Sequence, residues 1–372
     1  MSEETNLYHL RTGSNQLEGL SFSDQKGRVK KLLNDCLMSK NLNILIGSGC
    51  SVPAVPLMGS TFNKIKETNP DLILGNFGGN SSDIEGYLNW LNTGIKFIEE
   101  FSDYERKPSD LTRYKSSFLS TKQGLLDTIP RRYDELNQVE EDVKQNYIAF
   151  YNLLFSIRGI KNYSPANIFT TNYDLFNEVA LESLSIHYTN GFRGNVKRIF
   201  DPTVFQLRLV DDQHRYKDRW SVIRNFVKLY KIHGSIDWYF DNDEVVQKSP
   251  NADTENVVIY PTINKHFETQ QTPYSEMFRA LSISLQKPDS TLLILGYGFP
   301  DQHINQLISQ ALSNEDFSLI IFGNKEESNV ATFLQSHQHK PNLHFIGGTV
   351  YNDGDGHHFS NVLNYMVGDL GE

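Results

Sequence analysis

The 372-residue chain contains only two cysteines, Cys36 and Cys50. Two thiols cannot build a disulfide framework or a four-cysteine zinc site, and so sparse a use of cysteine fits a reducing compartment. With 13 prolines and 25 glycines, the composition excludes collagen-like and disordered low-complexity chains. No run approaches about 18 uninterrupted apolar residues, so no membrane-spanning helix is expected. The opening Met1-Ser2-Glu3-Glu4 lacks a basic segment followed by an apolar one. No secretory leader is expected, and the protein reads as cytoplasmic. Positive charge is in deficit: 35 Lys plus Arg against 45 Asp plus Glu leave −10. Such a field opposes indiscriminate binding to nucleic-acid phosphates, so direct nucleic-acid binding is not expected.

What is present is a series of short apolar runs, widely spaced, each ending in residues that suit a turn. Asn43–Ile46 leads into Gly47-Ser48-Gly49, Asn167–Thr170 into Thr171-Asn172-Tyr173-Asp174, and Lys228–Ile232 into His233-Gly234-Ser235. Thr291–Leu295 leads into Gly296-Tyr297-Gly298, Ser318–Phe322 into Gly323-Asn324, and Leu343–Ile346 into Gly347-Gly348. Runs rich in Ile, Leu and Val predict buried strands of a mostly parallel sheet. The fold class is therefore α/β, a doubly wound Rossmann-like sheet whose C-terminal strand edge carries the chemistry. Between the first two strands, residues 83–160 read as a helical insertion, including Ile84–Glu100 and Gln138–Arg158, packed on one edge of the sheet as a lid or a cap. The charged stretch Gln213–Trp220 and the polar stretch Asp241–Glu255 read as exposed loops.

Three of the strand ends carry candidate chemistry. Glycines at Gly47 and Gly49 let backbone approach a pyrophosphate, with a following helix aiming its N–H groups at the anion. The ordinary dinucleotide fingerprint fails, since Val52 stands where a small residue is required. Cys50 has no evident histidine partner and reads as a small packed residue. Asn172 and Asp174 read either as helix-start residues or as part of a site. His233 lies between an apolar strand and a glycine, where a side chain leaves the core and enters a cleft. His357 and His358, being adjacent, are expected to point apart, and no metal site is expected.

Taken together, these residues resemble the sirtuins, in particular a divergent bacterial branch of antiphage defence. The sirtuin Gly-Ala-Gly-x-Ser motif corresponds to Gly47, Ser48, Gly49 and Ser51, with serine replacing alanine. Thr-Gln-Asn-x-Asp corresponds to Thr170, Asn172 and Asp174, with Thr171 in place of glutamine, and His-Gly to His233-Gly234. The branch's Gly-Tyr-Ser-Phe-x-Asp is close to Gly296-Tyr297-Gly298-Phe299-Pro300-Asp301, and Asn-x-Glu to Asn324 and Glu326. The resemblance runs from Asn43 to the C-terminus. It leaves the first 40 residues as an expected helical extension ahead of an NAD-binding domain at 41–372.

The resemblance implies NAD as substrate, with Asn172 and His233 catalytic. Gly47, Ser48, Gly49, Ser51, Thr170, Asp174, Gly296, Tyr297, Asp301, Asn324 and Glu326 are implied to bind it. The four zinc-binding cysteines of protein-deacylating sirtuins cannot exist here, so the implied reaction is NAD hydrolysis to nicotinamide and ADP-ribose. A base at His233 is expected with an ordinary pKa near 6.5. The branch further implies a homo-oligomer and a HerA-type ATPase partner. A non-enzymatic NAD or ADP-ribose sensor, and a deacylase or ADP-ribosyltransferase, remain as alternatives.

Overall fold

Every residue of Ala166–Thr170 and Ser290–Leu295 is buried, as strands covered by helices on both faces must be. The computed structural model describes residues 6–74, 77–79, 83–100, 107–158, 164–217, 219–251, 257–259, 272–350 and 354–366. The chain opens with β1 (Asn6–Arg11), β2 (Ser14–Asn15), α1 (Phe22–Leu37) and β3 (Asn41–Ile46). The helices α2 (Met58–Thr68), α3 (Ile84–Glu100), α4 (Lys107–Leu126) and α5 (Gln138–Arg158) follow. Then come β4 (Ala166–Thr170), α6 (Phe176–Ser183), β5 (His187–Thr189), β6 (Phe192–Arg193), β7 (Arg198–Phe200), β8 (Val210–Tyr216) and β9 (Arg219–Val222). Next are β10 (Phe226–Lys231), β11 (Gly234–Asp241), β12 (Glu244–Gln247), β13 (Val257–Ile259), α7 (Tyr274–Leu285) and β14 (Ser290–Leu295). The last elements are α8 (Gln302–Ala311), β15 (Phe317–Phe322), α9 (Ser328–His337), β16 (Leu343–Val350), β17 (Gly354–Asp355) and α10 (Phe359–Met366).

The large sheet runs β2-β1-β16-β15-β14-β3-β4-β10-β5, with β17 on β16. From β16 to β5 every pairing is parallel, as expected for a doubly wound α/β fold. Alternation of side chains divides the core in two. Ile44, Ile46, Ile168 and Leu293 pack under α1, α5, α6 and α10, while Leu45, Phe169, Leu292 and Ile294 pack under α7, α8 and α9. The chain leaves β3 toward β4 and β10, then returns to its other side at β14. That reversal makes the β3–β14 junction the topological switch point, where such folds open a ligand crevice.

All six strands read from the apolar runs are present, and α3 and α5 have the bounds read from the sequence. Three expectations need correction. The N-terminal 40 residues are not a purely helical extension, because β1 pairs antiparallel with β16 and belongs to the large sheet. Its short alternating sequence carries little apolar signal, so pairing rather than propensity fixes it. The insertion does not sit as one unit on a sheet edge. Its α5 lies in the main core, whereas α3 and α4 join α2 against a second, five-stranded sheet ordered β13-β11-β12-β7-β6. Finally, the stretches read as loops are hairpin strands: β8–β9 spans Gln213–Trp220, and β12 pairs β11 within Asp241–Asn251. The remainder of that second stretch, 252–255, lies outside the described residues.

Candidate active site

At the end of β3 the chain makes a 3-10 turn at Ser48–Cys50 and no α-helix starts until Met58. The helix N-terminus expected behind the glycines is therefore not there. Pro53 and Pro56 account for this, since proline lacks an N–H and disfavours continuation of a helix. The glycines serve a different contact. A Cβ on Gly47 would lie 2.4 Å from Gly296 O, and one on Gly49 would lie 2.9 Å from Gly296 Cα. Gly49 N–H donates to Gly296 O at 2.9 Å, so the turns after β3 and β14 interlock backbone to backbone. Gly296 has φ +61°, the left-handed region that glycine enters without steric cost. Cys50 is buried beneath them, and burial, with Asp174 nearby, holds its thiol well above the ordinary value. It packs and does not react.

Asn172 does not cap the next helix. Its Nδ2 donates to Gly47 O and Ser51 Oγ, both at 3.1 Å. Ser51 Oγ in turn donates to Asp174 Oδ2 at 2.7 Å, so it receives from Asn172, which fixes how the amide is turned. Asn172 Oδ1 is then buried without a hydrogen-bond partner among the described residues. Thr170 Oγ1 donates to Ile46 O at 2.9 Å and accepts from Asn172 N. Asp174 Oδ1 accepts from Phe176 N at 3.1 Å. Thr170, Ser51 and Asp174 are all buried, with these polar atoms turned to protein. They align Asn172. Burial raises the Asp174 carboxyl, opposed by Lys231 and by the Ser51 hydroxyl.

His233 sits at a corner between the two sheets. Gly234, at φ +90°, turns the chain from β10 into β11, and a Cβ there would meet Val258 O at 2.1 Å. His233 Nε2 lies 3.0 Å from Asp301 Oδ2, and Nδ1 lies 3.3 Å from Glu85 Oε1. Burial alone would depress this histidine, but Glu85 and Asp301 together push it up to about 9. The expected pKa near 6.5 is thus corrected: at neutral pH the imidazole is an imidazolium. Burial likewise raises the Asp301 carboxyl, but its His233 partner outweighs burial and holds it below the ordinary range.

Other candidates fall elsewhere. Tyr297 is buried, and its hydroxyl accepts from Asp301 N at 3.3 Å, bracing its own turn. Asn324 Oδ1 accepts from Glu326 N at 2.9 Å. The Glu326 side chain is 79% exposed and lies beside Lys325. Its neighbour Glu327 turns toward Gly298 instead, with Oε2 3.0 Å from where a Gly298 Cβ would stand. Ser48 is half-buried in the turn after β3. His357 and His358 do not point apart: with Asp355 they bring ligand atoms within 4.8 Å of one another, in the turn between β17 and α10.

Sequence reasoning missed Glu85, Tyr173 and Lys231. Tyr173 OH donates to Glu85 Oε1 at 2.6 Å. Lys231 is buried, donates to the backbone carbonyl of Asp174, and lies 3.3 Å from Glu178. Burial raises the Glu178 carboxyl to about 7, against the opposing pull of Lys231. A lysine inside an apolar strand was a readable signal, because a buried charge must be paired. Glu85 gave none.

Asn172, His233 and Asp301 thus converge, with the interlocked glycine turns, on one edge of the sheet. Residues 166–342 match the SIR2-like domain. The match includes Asn172, His233, Asp301 and Asn324, and leaves the Gly47–Ser51 turn and the helical insertion outside it. SIR2-like domains take NAD as substrate, and the large parallel sheet agrees with that fold. Comparison with curated proteins gives no match. Among the described residues, no helix is long and apolar enough to cross a membrane.

Proposed function

We propose that the chain is an NAD+ glycohydrolase, cleaving NAD to nicotinamide and ADP-ribose. The observation that carries this reading is the buried, unpartnered Asn172 Oδ1 at the same sheet edge as the Asp301-paired His233. An amide oxygen left without a donor costs roughly 1–3 kcal/mol, which a site residue recovers when a hydroxyl or water arrives. In the reaction the bond from ribose C1′ to the pyridinium nitrogen breaks and nicotinamide leaves neutral, carrying the bonding pair. A water oxygen bonds to C1′ and one proton is released. The barrier is the oxocarbenium-like ribose, as in glycoside hydrolysis. Asn172 Oδ1 accepts a hydrogen bond from the water or a ribose hydroxyl. His233 first releases its resting proton to solvent, then accepts the proton of the reaction, and Asp301 holds the resulting imidazolium. Ser48, Gly49 and Gly298 line the path to the pyrophosphate, with Glu327 toward the adenosine ribose.

The resemblance to the antiphage-defence branch supports the wider reading: a cytoplasmic, homo-oligomeric effector that depletes NAD under control of a HerA-type ATPase. Incubation of the full chain with NAD, alone, with that ATPase, and with an acylated peptide, tests it. Free nicotinamide and ADP-ribose in equal amounts, lost by about 10²–10⁴-fold in His233→Ala, are expected. Acyl-ADP-ribose would make it a deacylase, and NAD bound but unchanged in every arm a sensor.

A further inference from the structure

Both ring nitrogens of His233 face a carboxylate. Nε2 is engaged by Asp301 and Nδ1 faces Glu85, and the ring is 3% exposed. A histidine held in this way accepts no proton from a substrate hydroxyl until one carboxylate gives way. The two carboxylates are anchored very differently. Asp301 Oδ1 caps α8, accepting from His303 N at 2.7 Å and Ile304 N at 3.2 Å, while Oδ2 serves His233. Removing Asp301 from the ring would also uncap that helix. Glu85 comes from the first turn of α3, a helix packed with α2, α4 and the smaller sheet. The Glu85 side chain is 20% exposed, and its hydrogen bond is to Tyr173 OH at 2.6 Å. Tyr173 follows Asn172 directly in sequence, so Glu85 leans on the loop that presents the Asn172 amide. Among the described residues, the titratable groups around His233 include Glu85, Asp301 and Tyr173, with Tyr297 close to both carboxylates.

We propose that Glu85 is the group the substrate displaces: its carboxylate occupies, against His233 Nδ1, the place of a substrate ribose hydroxyl, and α3 must yield as substrate enters. This rests on the NAD reading above. Glu85 is a positioning residue with two consequences. A ligand that must displace an internal carboxylate binds more weakly by the fraction of chains in which that carboxylate is already away. Its departure also removes one of the two charges that keep His233 protonated, so the base becomes available only when substrate is seated.

The test uses the full chain, with ADP-ribose and NAD as probes in calorimetry, and an NMR titration of the His233 ring. Glu85→Gln and Glu85→Ala are expected to bind ADP-ribose about tenfold more tightly than wild type. His233 is expected to titrate lower in both free variants, and lower in wild type once ADP-ribose is bound. Tyr173→Phe, which keeps the carboxylate and removes its anchor, is expected to tighten binding by a smaller factor. It decides the matter if the Glu85 variants fold poorly. Equal or weaker ADP-ribose binding in these variants, with wild type binding measurably, would overturn the displacement and leave the NAD reading intact. If no protein, wild type included, bound either probe, the NAD reading itself would fail and this inference with it.

Discussion

The charge on His233 makes the folded state pH-dependent in a way that can be worked out beforehand. The ring is buried and protonated up to about 9, whereas in the unfolded chain it titrates near 6.5. Because the folded pKa is raised, the stabilisation is fully present below about pH 6.5 and is lost as pH rises through about 9. At 1.36 kcal/mol per unit, the separation amounts to about 3 kcal/mol. Most of that loss falls between pH 7 and 9.5. In a chain of this size it corresponds to a fall in Tm of roughly 4 °C. The measurement is the Tm of wild type minus that of His233→Gln at half-unit steps from pH 6 to pH 10. Subtracting the variant removes every other titration. The difference should shrink steadily toward high pH. A difference that stayed flat, or that grew above pH 8, would refute the imidazolium and restore a neutral His233.

Two further predictions follow from the site. Asn172→Ala should lower kcat by about 10²–10³-fold while NAD or ADP-ribose still binds in calorimetry, since the contacts of Oδ1 form with the reacting groups. Loss of the Nδ2 hydrogen bonds should also cost about 1–3 kcal/mol of stability, and normal turnover in a destabilised protein would make Asn172 a purely structural residue. Gly296→Ala places a Cβ 2.5 Å from Cys50 N at φ +61° and should destabilise by about 1–3 kcal/mol or more in a thermal melt. An unchanged Tm would show that the two turns do not interlock.

The parallel sheet was legible because buried parallel strands are written as continuous apolar runs, and Asn43–Ile46 or Ser318–Phe322 has no other economical reading. The smaller sheet was not. Its strands β6, β7 and β12 are two to four residues long, and stretches such as Asp241–Asn251 are polar enough to pass for loops. Asn172 and His233 were legible as residue types at strand ends. The charge on His233 was not, because it depends on Glu85, 148 residues earlier in the chain, and on Asp301, 68 residues later. Nothing in the local sequence of Ile84–Glu100 distinguishes Glu85 from an ordinary solvated position on an amphipathic helix. The acidic residue at the end of β15 shows the reverse: motif spacing selected Glu326, while the course of the backbone turns Glu327 toward Gly298.

The interlocked turns also bear on how relatives of this chain diverge. A side chain added at Gly47 or Gly49 strikes Gly296, and one added at Gly296 strikes Cys50, so the constraint is mutual and lies wholly within the backbone. Substitution at one of these positions requires the other turn to move, and the three glycines should drift together or not at all. Selection that keeps the two strand ends in contact would preserve them whether or not a relative turns over NAD. Retention of the glycine signature then records shared ancestry of a backbone junction. Inheritance of the chemistry would have to be traced at Asn172 and His233.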